Sequence, residues 1–201
     1  MARSLGVLLA GGRGRRLSGS GPKALARLAG VTLLERAANT LRAVSDERVI
    51  VSPAALGLPT PDGFEVVHDD GRGPLPALVA GLGAASYERA VVLAVDFPLV
   101  GADTLSSIAH RLGDAPAVAP RPDDHLQPLV AAYAPQARAA LAATIERGER
   151  SLVAAVLAIG ARVIEREELA ALPHGLEAFL NVNTPEDLDE AERRLSAMER
   201  R

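Results

Sequence analysis

Short apolar runs alternate with helical segments along most of this 201-residue sequence. Strand-like runs occur at residues 5–10, 48–52, 64–67 and 90–95. Parallel strands need long crossover connections, usually helices, so this alternation predicts an α/β fold. We expect one three-layer α/β/α domain over residues 1–201, built on a mostly parallel, Rossmann-like sheet. The run at 90–95 is the most apolar, which places it at the centre of that sheet.

The remaining elements follow from apolar spacing and from turn residues. Apolar positions at helical spacing, together with Ala-rich composition, predict helices at residues 32–44, 75–86, 102–112, 136–147 and 151–159, with further strands at 127–133 and 161–165 and loops at 53–63 and 120–125. A last helix begins near Thr184, because Thr184 can cap it, Pro185 suits the first helical position and Asp187 follows the cap by three residues.

Composition limits the compartment and the kinds of partner. Aromatic residues make up only 2% of the chain, so the core must be built from Ala, Leu and Val. The net charge of −3 implies no general affinity for nucleic acid. The absence of cysteine excludes disulfides and thiolate metal sites. Residues 1–4 lead straight into a strand, and no apolar run approaches a membrane span, so we expect a cytoplasmic protein.

The first strand ends in a loop rich in glycine and arginine. Gly11 and Gly12 follow the apolar run, and three arginines and Lys23 come next. Glycine lets backbone amides approach a ligand, and consecutive amides form a concavity suited to anions. Arginine and lysine add charge for phosphate oxygens. The loop therefore predicts a polyphosphate site, with an ordinary glycine-rich connection as the alternative.

Two well-known phosphate motifs do not fit this loop. In a Walker A loop the lysine follows glycine and precedes Ser or Thr, whereas Lys23 lies between Pro22 and Ala24. In a dinucleotide fingerprint starting at Gly12, position 17 would be small, but it is Leu17. The second mismatch disfavours a dehydrogenase.

Acidic residues follow two of the strands. Asp96 closes the most apolar strand, where ligands bind in open α/β sheets, and its carboxylate could hold Mg2+ or shape a turn. Asp69 and Asp70 follow another strand and could contact a nucleotide, assist a metal or form the turn before Gly71. Capping of the last helix explains why Thr184 is present, but it gives no reason for Asn181.

Taken together, these motifs resemble the nucleotidyltransferases, and within them the molybdenum cofactor guanylyltransferase family. The resemblance covers nearly the whole chain and is carried by residues 9–17 with Lys23, by Gly73-Pro74-Leu75, Val95-Asp96-Phe97-Pro98 and Gln127-Pro128-Leu129, and by residues 181–188, which read NVNTPEDL. Three features depart from the family pattern: the path from Gly12 to Lys23 is one residue longer, Pro22 replaces an Asp, and Phe97 replaces a smaller or polar residue.

The resemblance implies an Mg2+-dependent enzyme that transfers GMP from GTP to the phosphate of molybdopterin and releases pyrophosphate. It further implies transient contact with cofactor-biosynthesis or acceptor proteins. For catalysis the resemblance assigns Arg16, Lys23 and Asp96, and it assigns Asp96 to the metal as well. The residues assigned to the nucleotide are Leu9, Ala10, Gly11, Gly12, Lys23, Asp69 and Asp96, and the amides of residues 10–12 are expected to face the nucleotide. Asn181 and Asn183 are assigned to the acceptor substrate.

Other functions remain open on the sequence alone. Related enzymes of this fold, a molybdenum cofactor cytidylyltransferase or a 2-phospholactate guanylyltransferase, would carry similar motifs. A nucleotide-binding module without catalysis is a further alternative, which the joint presence of Arg16, Lys23 and Asp96 disfavours.

Overall fold

A computed structural model describes residues 3–11, 21–198 and 200 of the chain. In these ranges the strands are β1 Ser4–Leu9, β2 Arg27–Leu28, β3 Val31–Thr32, β4 Glu47–Pro53, β5 Glu65–Asp69, β6 Arg89–Ala94, β7 Ala117–Pro120, β8 Val130–Tyr133 and β9 Arg162–Ile164. The α-helices are α1 Leu33–Val44, α2 Pro74–Leu82, α3 Ala102–His110, α4 Pro135–Glu146, α5 Leu152–Ala158, α6 Arg166–Ala170 and α7 Pro185–Met198.

Seven of the strands form one sheet in the order β5-β4-β1-β6-β8-β7-β9. All neighbouring pairs are parallel except those of β8, which runs antiparallel to both β6 and β7. The mostly parallel α/β class is therefore confirmed, and β6, predicted to be central, is the fourth of the seven strands. The domain bounds of 1–201 stay a prediction.

Helices cover both faces of the sheet, which is why central strands such as β1, β6 and β8 are mostly apolar and buried. Helices α1 and α3 pack together against β6, while α2 packs on β1, β4 and β5 and also against α4 and α5. The core is mainly Ala, Leu and Val, as predicted, and the three phenylalanines Phe64, Phe97 and Phe179 are buried in it as well. Tyr133 is also fully buried, and its hydroxyl donates to the carbonyl oxygen of Pro128 at 2.7 Å.

The parallel arrangement brings the functional loops to one edge of the sheet. The carboxyl ends of β1, β4, β5, β6, β7 and β9 all point to this edge, and the antiparallel β8 begins there. We call it the carboxyl edge. The amide of Val95 donates to the carbonyl oxygen of Leu9 at 3.1 Å, so the loops that follow β1 and β6 start side by side.

Several sequence-based predictions of elements were incomplete. Strand β7 was not predicted, because the run Ala117–Pro120 is four residues of small side chains that end in proline, too short for a clear period. The predicted loop at 53–63 contains a 3-10 turn, Ala54–Leu56, and helix α6 was missed.

The hairpin of β2 and β3 was also not predicted. Its turn residues, Ala29 and Gly30, both have positive φ angles, of 47° and 81°. Two-residue hairpin turns with this geometry usually contain Asn-Gly or Asp-Gly, so Ala-Gly gave only a weak signal.

The contact between α2 and the sheet predicts a site that does not tolerate a methyl group. A Cβ on Gly81 would lie 2.5 Å from Cγ1 of Val7 and 2.8 Å from Cγ2 of Val51. We expect Gly81→Ala to lower the free energy of unfolding by about 1–3 kcal/mol through overpacking, although alanine favours helix. Urea denaturation would measure this difference.

The matched control is Gly83→Ala at the end of the same helix. There the three heavy atoms nearest to a Cβ all belong to the guanidinium end of Arg138, the first at 2.7 Å, and this flexible group can move aside. The change in unfolding free energy should stay within about 0.5 kcal/mol. Equal losses in the two variants would contradict the close packing of α2 on β1 and β4.

Candidate active site

The cluster at the carboxyl edge is centred on Lys23. This residue follows the Gly-rich loop and begins a 3-10 turn, Lys23–Leu25, which buries it to 5% exposure. Its Nζ donates to Oδ1 of Asn183 at 2.8 Å and lies 3.4 Å from Oδ2 of Asp96. Residues 23, 96 and 183 are distant in sequence, and the sheet topology brings them together.

Burial lowers the pKa of the Lys23 amine, and the Asp96 carboxylate opposes this effect only in part. A lowered pKa means that the folded protein disfavours the charged ammonium relative to the unfolded chain. Shifted pKa values of this kind cluster at functional sites, which makes Lys23 a candidate functional residue.

Lys23 is also the only lysine in the sequence; the other 21 of the 22 basic residues counted as Lys or Arg are arginine. A lysine ammonium is a compact point charge, whereas a guanidinium is a broad planar fork, so the two are not interchangeable at a buried site. This single lysine is a sequence signal that motif matching did not use. It singles out the position independently of any family.

Asp96 lies in the turn that follows β6, as predicted. Its carbonyl oxygen accepts the amide of Val182 at 2.8 Å, which fastens the 181–183 segment beside the turn. Its Oδ1 is buried and has no hydrogen-bond partner among the described residues. A buried carboxylate oxygen without a partner is costly, which makes this oxygen a candidate ligand-binding atom.

A divalent cation fits this oxygen, because hard cations such as Mg2+ bind carboxylate oxygens and complete their shell with water and phosphate. In the described ranges, no group of three His, Cys, Asp or Glu side chains is placed to hold a metal ion.

Asn181 and Asn183 flank the buried residue Val182. Nδ2 of Asn183 donates to Oδ1 of Asn181 at 2.8 Å, and Oδ1 of Asn183 accepts from Lys23. The structure thus brings both residues that were predicted to bind the acceptor substrate into the same cluster as Lys23 and Asp96. The predicted cap of α7 is also confirmed, with the Asp187 amide donating to Oγ1 of Thr184 at 3.2 Å.

Gly11 and Asp69 approach each other across the ends of β1 and β5. A Cβ on Gly11 would lie 3.4 Å from Oδ2 of Asp69 and 3.4 Å from Cδ of Pro53. Oδ1 of Asp69 accepts a hydrogen bond from the amide of Gly71 at 2.6 Å. Asp69 therefore forms the turn before Gly71, which was one of the roles expected from the sequence. Its second oxygen faces Gly11, beside the expected nucleotide loop. Asp70 is exposed and pairs instead with Arg72 at 2.7 Å.

One detail of the nucleotide-site prediction was wrong. The amide of Ala10 does not face a ligand, because it donates to the carbonyl oxygen of Val51 at 3.0 Å and so extends the sheet. Ala10 and Leu9 are both buried. Gly12 and Arg16 lie outside the described residues, so the roles expected for them stay predictions.

Comparison with known proteins agrees with the fold. The family described as the MobA-like NTP transferase domain matches residues 6–163. A Natronomonas pharaonis protein named "Probable molybdenum cofactor guanylyltransferase" is 34% identical over 98% of this chain and 100% of its own. A Desulfosudis oleivorans protein named "Molybdenum cofactor guanylyltransferase" is 31% identical over 96% of each chain.

Among solved structures, the molybdopterin-guanine dinucleotide biosynthesis protein A of Archaeoglobus fulgidus superposes with a TM-score of 0.78 at 27% identity. The superposition covers 96% of this chain and 99% of that one. Fold and sequence together therefore define a nucleotidyltransferase. The chain belongs to the MobA-like NTP transferase family, which confirms the family predicted from the motifs. Within the described ranges, every helix is too short or too polar to cross a bilayer.

The Lys23–Asp96 contact predicts a coupling in stability. Asp96→Asn removes the charge that partly offsets the buried ammonium, so the free energy of unfolding should fall by about 1–3 kcal/mol. In a Lys23→Met background no buried ammonium remains, and the same substitution should change it by less than about 0.5 kcal/mol. Urea denaturation of the four proteins measures the coupling.

The matched control is Asp70→Asn, which breaks an ion pair whose side chains are 70% and 73% exposed. Its effect on the free energy of unfolding should be below about 0.5 kcal/mol, since water screens exposed pairs. Equal effects of Asp96→Asn in the two backgrounds would show that the buried pair is not coupled.

Proposed function

We propose that this protein transfers GMP from GTP to the terminal phosphate of molybdopterin, forming the guanine dinucleotide cofactor and releasing pyrophosphate. The observation that carries the proposal is the cluster of Lys23, Asp96, Asn181 and Asn183 at the carboxyl edge, in a chain whose relatives are named for this activity. GTP and molybdopterin are then its substrates, and Mg2+ its metal.

The reaction requires positioning and neutralisation of charge more than a protein nucleophile. An oxygen of the acceptor phosphate attacks the α-phosphorus of GTP. The new P–O bond forms as the bond from the α-phosphorus to the bridging oxygen breaks, and pyrophosphate leaves with that electron pair. The acceptor phosphate is already ionised near neutral pH, so the protein need not remove a proton from it.

Lys23 supplies positive charge where negative charge gathers during this step. Its ammonium is buried, and a charge acts more strongly on phosphate where water is excluded. Asp96 would hold the metal through the oxygen that lacks a protein partner. When bound, Mg2+ contributes positive charge to the phosphate oxygens and helps to orient them. Arg16 would add charge at the triphosphate from the Gly-rich loop.

The two halves of the carboxyl edge divide the substrates between them. Gly11 and Asp69 lie together at the ends of β1 and β5, on the side we assign to the nucleotide. Asn181 and Asn183 lie next to Lys23, and we assign them to the acceptor. In this scheme the ammonium of Lys23 lies near the point where the attacking and leaving groups meet.

The reaction itself is tested with purified protein, molybdopterin and Mg2+. We expect pyrophosphate release together with a product whose mass corresponds to molybdopterin plus GMP. The four nucleoside triphosphates are compared under the same conditions, and GTP should be preferred. Preference for CTP would contradict the guanylyl assignment, and absence of any transfer with all four would contradict the enzyme assignment.

Asp96→Ala should reduce the rate of transfer by about 10²–10³-fold, because it removes a charged contact that is specific to the reacting phosphates. The backbone bond from Val182 to the carbonyl oxygen of Asp96 is retained, so the variant should remain folded. The rate is followed as pyrophosphate release, and the fold by circular dichroism.

Asp70→Ala is the matched control, since it removes an exposed carboxylate next to the same edge. Its rate should remain within about twofold of the unsubstituted enzyme. A folded Asp96→Ala protein with a rate equal to that of this control would overturn the assignment of Asp96.

A further inference from the structure

Asp187 makes more contacts than a helix cap requires. One carboxylate oxygen, Oδ2, accepts the amide of Thr184 at 2.9 Å and the amide of Asn183 at 2.8 Å. The first of these bonds, with the return bond from the Asp187 amide to Oγ1 of Thr184, is an ordinary capping box. The second bond reaches one residue beyond the cap, into the segment that carries the two asparagines.

The residue held in this way is the one that touches the lysine. The Asn183 amide is fixed by Asp187, and the Asn183 side chain accepts from Nζ of Lys23 at 2.8 Å. The hydrogen bond from Asn183 lowers the pKa of Asp187, so the carboxylate is ionised in the range where the enzyme would work. Its negative charge also favours the ammonium form of Lys23.

Asn183 is itself exposed, so packing alone does not fix its position. Two anchors hold the 181–183 backbone: the bond from the Val182 amide to the carbonyl oxygen of Asp96, and the bond from the Asn183 amide to Asp187. Only the second anchor acts on the backbone of Asn183 itself. Without it, the side chain of Asn183 could rotate away from Lys23 into solvent.

We propose that Asp187 is a positioning residue of the active site, which keeps Asn183 against the Lys23 ammonium so that Lys23 points to the reacting phosphates. This inference deepens the proposed function and rests on it. Asp187 touches no substrate in this scheme; it acts through Asn183. The start of helix α7 thereby connects the last part of the chain to the loop that follows the first strand.

A double-mutant cycle of transfer rates tests the route through Asn183. We expect Asp187→Ala to lower kcat by roughly 10- to 100-fold, because misplacement of a positioning group slows transfer strongly. In an Asn183→Ala background the same substitution should change kcat by less than about twofold, since no side chain remains to be positioned. Equal effects in both backgrounds would overturn the proposal.

Two further variants separate positioning from helix stability. Thr184→Ala removes the cap hydroxyl but leaves the bonds that Asp187 accepts, and Ser151→Ala removes the cap that α5 receives from its hydroxyl at 3.2 Å. Both should lower thermal stability and leave kcat within about twofold. Asp187→Asn keeps an acceptor oxygen without the charge, so it should remain folded and recover part of the lost kcat. A loss of kcat in Thr184→Ala equal to that in Asp187→Ala would favour a purely structural role.

A labelling experiment without substrates distinguishes failure of this proposal from failure of the proposed function. Because Lys23 is the only lysine, an acylating reagent at fixed pH modifies only this side-chain amine besides the α-amino group. Mass spectrometry follows the rate at Lys23. Asp187→Ala should label faster than the unsubstituted protein, and Thr184→Ala should not. Unchanged labelling would overturn the positioning role. Faster labelling in a protein that transfers no nucleotide would contradict only the proposed function.

Discussion

The contacts of one buried ammonium group organise the carboxyl edge of this protein. Lys23 is 5% exposed, and its charge is met by Asp96 and Asn183, which come from two other parts of the chain. Such partners allow a lysine to be buried in its charged form, because an isolated charge in a protein interior is very unfavourable. The turn after β6 and the segment before α7 must therefore lie close to Lys23.

The Asp96 carboxylate compensates only in part for the burial of the Lys23 ammonium. Burial lowers the pKa of the amine more than Asp96 raises it, and one oxygen of Asp96 has no partner in the described part of the chain. A site built only for stability would satisfy these groups or replace them with apolar side chains. Under the proposed function, phosphate would meet this charge and a cation would meet this oxygen during the reaction.

Much of the fold could be predicted because its signals are local. The apolar run of β6 and the capping residues Thr184 and Asp187 are each visible within a few positions of the sequence. Strand β7 gave no such signal, since four small residues form a strand only through pairing with β8 and β9. The sequence also predicted that the Ala10 amide is free for a ligand. This was wrong because the amide donates to the carbonyl oxygen of Val51, which lies in another strand.

By itself, the sequence determined the α/β class, the family, and the residue types that meet at the candidate site, since motifs such as 9–17 and 181–188 are contiguous. The tertiary structure alone decided which side chains touch: that Asn183 accepts from Lys23, that Asp69 faces Gly11, and that Asp187 fixes the Asn183 backbone. Local spacing sets helices, strands and caps. Contacts between residues as far apart as 23 and 183 depend on strand order and crossover, which no local pattern encodes.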